Sequence, residues 1–139
     1  MSLYSSEIEI YVPFCDLDPM NVVWHGNYIK YMEQARCKMF EELNYTYIDM
    51  KNDNYAYPVV KLDVKYIKPA IFNQKLIIKI YLEEIQPALI IKYDIFDKNS
   101  LEKIFCGKTI QMGVDIKTRE TLYTPPQRLI EILESSNDK

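Results

Sequence analysis

The chain has 139 residues, 48% of them hydrophobic and 27% charged, with a formal net charge of −3. That length suits one domain with a buried core, and the composition is that of a folded chain, not a disordered one. The acidic balance argues against a nucleic-acid binder, whose surface is normally basic. Residues 7–15 alternate, with Ile8, Ile10, Val12 and Phe14 on one face and Glu7, Glu9 and Tyr11 on the other, so a half-buried strand is predicted. From Asn27 to Leu43 the period becomes helical: Tyr28, Met32, Ala35, Met39 and Leu43 recur at spacings of four and three. Asn27 is suited to cap that helix, and Asn44 to the left-handed position just beyond it. A polar stretch follows, from Asp49 to Tyr57.

Strand patterns then persist. Val60, Leu62, Val64 and Tyr66 alternate with Lys61, Asp63 and Lys65; Leu76, Ile78, Ile80 and Leu82 alternate with Lys75, Lys79 and Tyr81. Leu89, Ile91, Tyr93 and Ile95 form a third run, and Ile104, Cys106, Ile110, Met112 and Val114 a fourth. Thr124-Pro125-Pro126-Gln127 opens a short helix through Leu129, Ile130 and Leu133. Four consecutive strands joined by short turns must be mainly antiparallel. One long helix buries itself most simply on one face of their sheet, which makes the class α+β.

The glycines, at 26, 107 and 113, allow no phosphate-cradling loop and no nucleophile elbow. His25 is the sole histidine, and Cys15, Cys37 and Cys106 are far apart, so neither a metal site, a cofactor nor a disulfide framework is expected. The reducing cytoplasm is the expected compartment. No apolar run approaches the roughly 20 residues that cross a bilayer, and residues 1–6 lack the features of a signal peptide. Chemistry concentrates in Phe14-Cys15-Asp16-Leu17-Asp18-Pro19-Met20-Asn21-Val22-Val23-Trp24-His25-Gly26-Asn27-Tyr28. Two carboxylates end a strand there, and the histidine stands at the mouth of the long helix. Free N–H groups at a helix entry suit an oxyanion, and a facing carboxylate could attack a thioester carbonyl or activate water. The plainer reading is a helix entry dressed with capping residues.

This run resembles the signature of the 4-hydroxybenzoyl-CoA thioesterase family, including the bacterial acyl-CoA thioesterases associated with the Tol-Pal system. The matching residues are Phe14, Asp16, Asp18, Val22, Val23, His25, Asn27, Tyr28, Glu33, Ala35 and Arg36. Tyr66-Ile67-Lys68-Pro69-Ala70 resembles the family's Tyr-x-x-Pro-Ala strand end. Trp24 with Asp18-Pro19-Met20 is most similar to members beside fatty-acid or aryl-polyene synthesis genes. The resemblance implies a hot-dog fold, an antiparallel five-stranded sheet wrapped round a central helix, with active sites at a subunit interface. It implies an acyl-CoA or acyl-carrier-protein thioesterase, with Asp18 as nucleophile or general base. His25 and a helix-entry N–H would polarise the carbonyl. Trp24, Gly26 and Tyr28 would line the substrate, although Tyr28 also fits the helix core and Trp24 serves packing equally well. Phe14 departs from the tyrosine found in many relatives.

Asp16 reads as a structural acceptor. Glu33 and Arg36, at i and i+3, read as an ion pair, with Glu33 in reserve as a helix-borne acid. Lys61, Lys65, Lys75 and Lys79 share strand parity on two runs taken as neighbours, and Lys68 follows at the end. They are expected to form a positive strip for the carrier, with Lys65 and Lys68 as binding candidates. A homodimer or homotetramer is expected, because Ile77, Ile90 and Phe96 give several strands apolar residues on both faces. The competing reading is a non-catalytic acyl or carrier-protein binding module on the same fold.

Overall fold

A computed structural model describes residues 2–137. The elements in order are β1 (Tyr4–Tyr11), α1 (Asn27–Glu42), α2 (Tyr47–Asn52), β2 (Tyr55–Ala56), β3 (Val59–Tyr66), β4 (Lys75–Glu84), β5 (Leu89–Asp97), β6 (Lys103–Gln111), β7 (Gly113–Asp115), β8 (Thr121–Leu122) and α3 (Gln127–Asn137). Five strands form one sheet in the order β1-β4-β5-β6-β3, and every pairing in it is antiparallel. A small second sheet joins β2, β7 and β8.

The inner face of the large sheet is built by alternation. Leu76, Ile78, Ile80 and Leu82 of β4 are fully buried, as are Leu89, Ile91, Tyr93 and Ile95 of β5. Against them lies α1, which buries Tyr28, Tyr31, Met32, Ala35, Met39 and Phe40. Each such aliphatic side chain contributes about 1.5–3 kcal/mol relative to exposure, so this layer is the main source of stability. Gly107 on β6 lets the helix approach, since a Cβ there would press on Met32 and Val64 at 3.0 and 3.3 Å. Asn44 takes the left-handed conformation predicted for it, with φ of 56°.

Several expectations need correction. The first strand ends at Tyr11; Phe14 opens a single 3₁₀ turn, Phe14–Asp16, and is 72% exposed instead of facing the core. Gly26, not Asn27, is the capping residue of α1 and makes no side-chain cap bond. The polar stretch begins inside a helix: α2 runs from Tyr47 to Asn52, started by a capping box in which Asp49 N–H donates to the Thr46 hydroxyl and Thr46 N–H to the Asp49 carboxylate. The run from Ile104 to Val114 is two strands, and on β6 the inward residues include Phe105, Thr109 and Gln111.

The expected lysine strip also fails. β3 pairs with β6, so β5 and β6 separate it from β4. Along the cross-strand row the residues run Lys65, Cys106, Asp94, Lys79, Glu7, which alternates charge instead of concentrating it.

Candidate active site

The site grows from a tight loop. Asp18 N–H donates to the Val22 carbonyl at 2.9 Å, Leu17 bridges Val23, and Trp24 N–H donates to the Asp16 carbonyl at 3.0 Å. This short ladder folds residues 16–24 back on themselves and delivers the chain into α1.

Asp16 is the hub. Only 4% exposed, its carboxylate accepts from Lys30 Nζ and the Tyr31 hydroxyl, each at 2.7 Å. Its carbonyl also accepts from Asn27 Nδ2 at 2.9 Å. Burial alone would push this carboxyl up, but Lys30 and Tyr31 outweigh burial and hold it below its ordinary value. Burial and the Asp16 charge together drive the Tyr31 phenol far above its usual range, so that hydroxyl is a fixed donor.

Asp18 is half-buried. Oδ1 accepts from Met20 N–H at 2.8 Å, and Oδ2 has no hydrogen-bond partner among the described residues. Around the mouth of α1, His25 is exposed, with its ring 4.9 Å from that of Trp24. A Cβ on Gly26 would overlap the Trp24 ring, which therefore lies directly over this glycine while remaining 50% exposed. The N–H groups of His25, Gly26 and Tyr28 have no hydrogen-bond partner among the described residues.

The second motif docks on the first. The Tyr66 hydroxyl donates to the His25 carbonyl at 2.7 Å, Ala70 N–H donates to the Tyr28 hydroxyl at 3.0 Å, and Val23 N–H donates to the Ala70 carbonyl at 2.9 Å. Between them lies a recess of about 160 Å³, lined by Val23, His25, Tyr28, Tyr66, Lys68 and Pro69 among others. Asp18 sits beside this recess without lining it. Burial raises the Tyr28 phenol, and the charge of Asp18 adds to that shift, which puts the two within electrostatic reach. Larger hollows lie on the outer face of the sheet (about 490 Å³) and between α2 and the small sheet (about 590 Å³), and neither is lined by a residue of the 14–28 run.

The structure thus gathers Asp18, Trp24, His25, Gly26, Tyr28 and Lys68 at one corner. Lys65 lies on the outer face of the sheet, lining the hollow there. Lys68 pairs with Glu102 at 3.2 Å, both groups exposed. Glu33 is exposed and pairs with Arg36 at 3.2 Å, and Arg36, 6% exposed, also donates to the Tyr93 hydroxyl at 3.4 Å. The sequence by itself assigns no site role to Lys30, Tyr31 or Tyr66. Tyr31 carried one signal, since a phenol on the buried face of a helix needs a partner for its hydroxyl. Among the described residues no group of three or more His, Cys, Asp or Glu side chains is arranged to hold a metal ion, and no helix is long and apolar enough to cross a membrane.

An antiparallel five-stranded sheet wrapped round one long helix, with a carboxylate loop folded onto the helix entry, defines a hot-dog protein of the thioesterase kind. The chain belongs to the thioesterase-like superfamily, whose pattern matches residues 12–133. It is 27% identical over 78 residues to the acyl-CoA thioesterase YbgC of Helicobacter pylori, a match covering 56% of each protein. It is 29% identical over 82 residues to YneP of Bacillus subtilis, covering 59% of each. The matches thus span little more than half the length of these curated relatives. Among solved structures, a DHNA-CoA thioesterase from Staphylococcus aureus superposes with a TM-score of 0.84 at 26% identity, covering 96% of this chain and 91% of the other. A 1,4-dihydroxy-2-naphthoyl-CoA thioesterase from Synechocystis shares the fold, with a TM-score of 0.83 at 16% identity over 96% and 98% of the two chains.

Proposed function

We propose that the protein is an acyl thioesterase that hydrolyses an acyl-CoA or acyl-carrier-protein thioester in the cytoplasm, with Asp18 as its central carboxylate. The observation that carries this reading is the pairing of a carboxylate that keeps one oxygen free with unpartnered N–H groups at the neighbouring helix entry. Asp18 either attacks the thioester carbonyl as nucleophile or takes a proton from the attacking water. The carbonyl oxygen becomes an oxyanion, and the N–H groups of His25 and Gly26, with the His25 imidazole, are the donors that would hold it. The C–S bond then breaks, and the thiolate leaves and takes up a proton; in the general-base route this releases the free acid directly, and in the nucleophilic route a water then hydrolyses the Asp18 acyl anhydride, which frees the acid and restores the carboxylate.

The relatives named as acyl-CoA and DHNA-CoA thioesterases support CoA as the carrier. Trp24 offers apolar surface to the substrate, Tyr28 backs the recess from the core, and Lys68, on the recess, offers charge to an anionic carrier, with Lys65 a more remote candidate.

The test is thiol release from a panel of acyl-CoAs, followed with a chromogenic thiol reagent. Asp18→Asn is nearly isosteric and should lower kcat by at least about a hundredfold while leaving the fold intact. Near-normal turnover by that variant would remove Asp18 from the mechanism and promote Glu33. No thiol release by the wild type from either CoA or carrier-protein thioesters would favour the non-catalytic binding module.

A further inference from the structure

Two consecutive peptide groups at the mouth of α1 have their carbonyls tied back and their N–H groups free. The Trp24 carbonyl accepts from Asn27 N–H at 2.9 Å, and the His25 carbonyl accepts from the Tyr66 hydroxyl at 2.7 Å. In a planar trans peptide the C=O and the N–H point in opposite directions, so fixing a carbonyl aims the N–H of the next residue. The N–H groups aimed in this way are those of His25 and Gly26, both unpartnered among the described residues. The first is set by the turn that enters the helix. The second depends on one side chain from a distant part of the sequence.

We propose that Tyr66 is a positioning residue of the thioester site, its hydroxyl holding the His25–Gly26 peptide so that the Gly26 N–H faces the developing oxyanion. This rests on the thioesterase reading above and adds a residue to it. The Tyr66 ring is held independently of its hydroxyl, packing edge-on against Tyr28 at 5.2 Å and Phe105 at 5.3 Å. Its backbone is fixed by the pairing of Tyr66 with Phe105 on β6. Burial raises the phenol above its ordinary value, so it stays a protonated donor through neutral pH. Donation to the carbonyl also polarises the amide and strengthens the N–H on its far side. The absence of a side chain at Gly26 leaves room for the Trp24 ring over that peptide.

The test is Tyr66→Phe, which keeps the ring and its aromatic contacts and deletes only the hydroxyl. Kinetics on an acyl-CoA that the wild type hydrolyses are compared with binding of two CoA ligands. One carries a trifluoromethyl ketone, which adds a nucleophile to give an oxyanion; the other carries a thioether in place of the thioester and has no carbonyl. The expected result is a kcat lowered about tenfold with KM nearly unchanged, less than the roughly hundredfold cost of deleting a whole oxyanion donor. Affinity for the ketone should fall by a similar factor while affinity for the thioether holds. In labelled protein the Gly26 amide resonance should move, a readout independent of turnover. A kcat within about threefold of wild type, or an equal loss of affinity for both ligands, overturns the proposal. A wild type inactive on every thioester sinks the thioesterase reading and this proposal together; an active wild type with an indifferent Tyr66→Phe sinks this proposal alone.

Discussion

Asp16 and Asp18 are two residues apart and chemically unlike. Each oxygen of the Asp16 carboxylate is engaged, by Lys30 and by Tyr31, and the group is buried. Asp18 spends one oxygen on the Met20 N–H and keeps the other free. A carboxylate with a free oxygen can act as nucleophile or base, whereas a buried one with both oxygens engaged holds structure. The pair therefore divides labour, with Asp16 pinning the loop to the first turns of α1 and Asp18 carried on it. Asp16→Asn should cost about 2 kcal/mol of stability, because a buried charge-assisted acceptor is replaced by an amide that fits both donors poorly. The pH dependence follows from the lowered value. A carboxyl depressed in the folded state contributes stability above its ordinary pKa of 3.8 and loses it as pH falls through the lower folded value. The melting-temperature gap between wild type and Asp16→Asn should therefore be constant at neutral pH and close below about pH 4. A gap that persists unchanged to pH 2 would mean that the ionised form of Asp16 contributes nothing.

At the scale of elements, legibility tracked how cleanly each one separates its two faces. β4 and β5 place aliphatics inward and Lys79, Lys92 and Asp94 outward, so their period of two is plain in the sequence. β6 inverts the signal. Its inward positions hold Thr109 and Gln111, which bond Tyr93 and the Tyr57 carbonyl, while Cys106 and Ile110 point away from the helix. α2 was marked by the Thr46–Asp49 capping box, but its few residues sit among polar neighbours that hide any periodicity. The carboxylate loop and helix entry were readable because their chemistry is contiguous in sequence. The docking of residues 66–70 onto 23–28 was not, since three long-range bonds to backbone and phenol atoms leave no local pattern. Strand order has the same character, and it decides what the lysines can do. Lys68 reaches the recess with His25, whereas Lys65 faces outward from β3. Raising ionic strength from about 0.05 to 0.5 M should raise KM severalfold with little change in kcat, because the Debye length falls to a few ångströms. Lys68→Glu should mimic the effect and Lys65→Glu should do so less. A KM indifferent to salt and to Lys68→Glu would leave binding to the apolar surface alone.

At the scale of the whole molecule, the sheet has two free edges of opposite character. β1 presents Ser5, Glu7, Glu9 and, at its end, Tyr11 as its exposed residues, with Glu9 paired to Lys98, and the charge along most of this edge discourages further strand pairing. β3 is exposed along nearly its whole length and carries Val59, Val60, Leu62 and Tyr66, with Ile67 just beyond, all exposed. A row of apolar side chains beside unpaired backbone N–H and C=O groups is a surface that favours burial. A second copy related by a two-fold axis meets that demand, since antiparallel self-pairing satisfies both backbones and joins the two sheets into one. The end of β3 also carries Tyr66 and leads to Ile67 and Lys68, which line the recess, so such an interface would abut the site. The protein is therefore expected to be at least a dimer at micromolar concentration, with light scattering giving twice the mass of one chain or more. Val60→Glu with Leu62→Glu places two like charges on each copy of the edge, four at the paired interface, and should yield a folded monomer. On the thioesterase reading, with the partner copy completing the site, that monomer should also lose most of the thiol release. A wild-type monomer with full turnover would contradict the assembly, and a double variant that remains dimeric would move the interface away from β3.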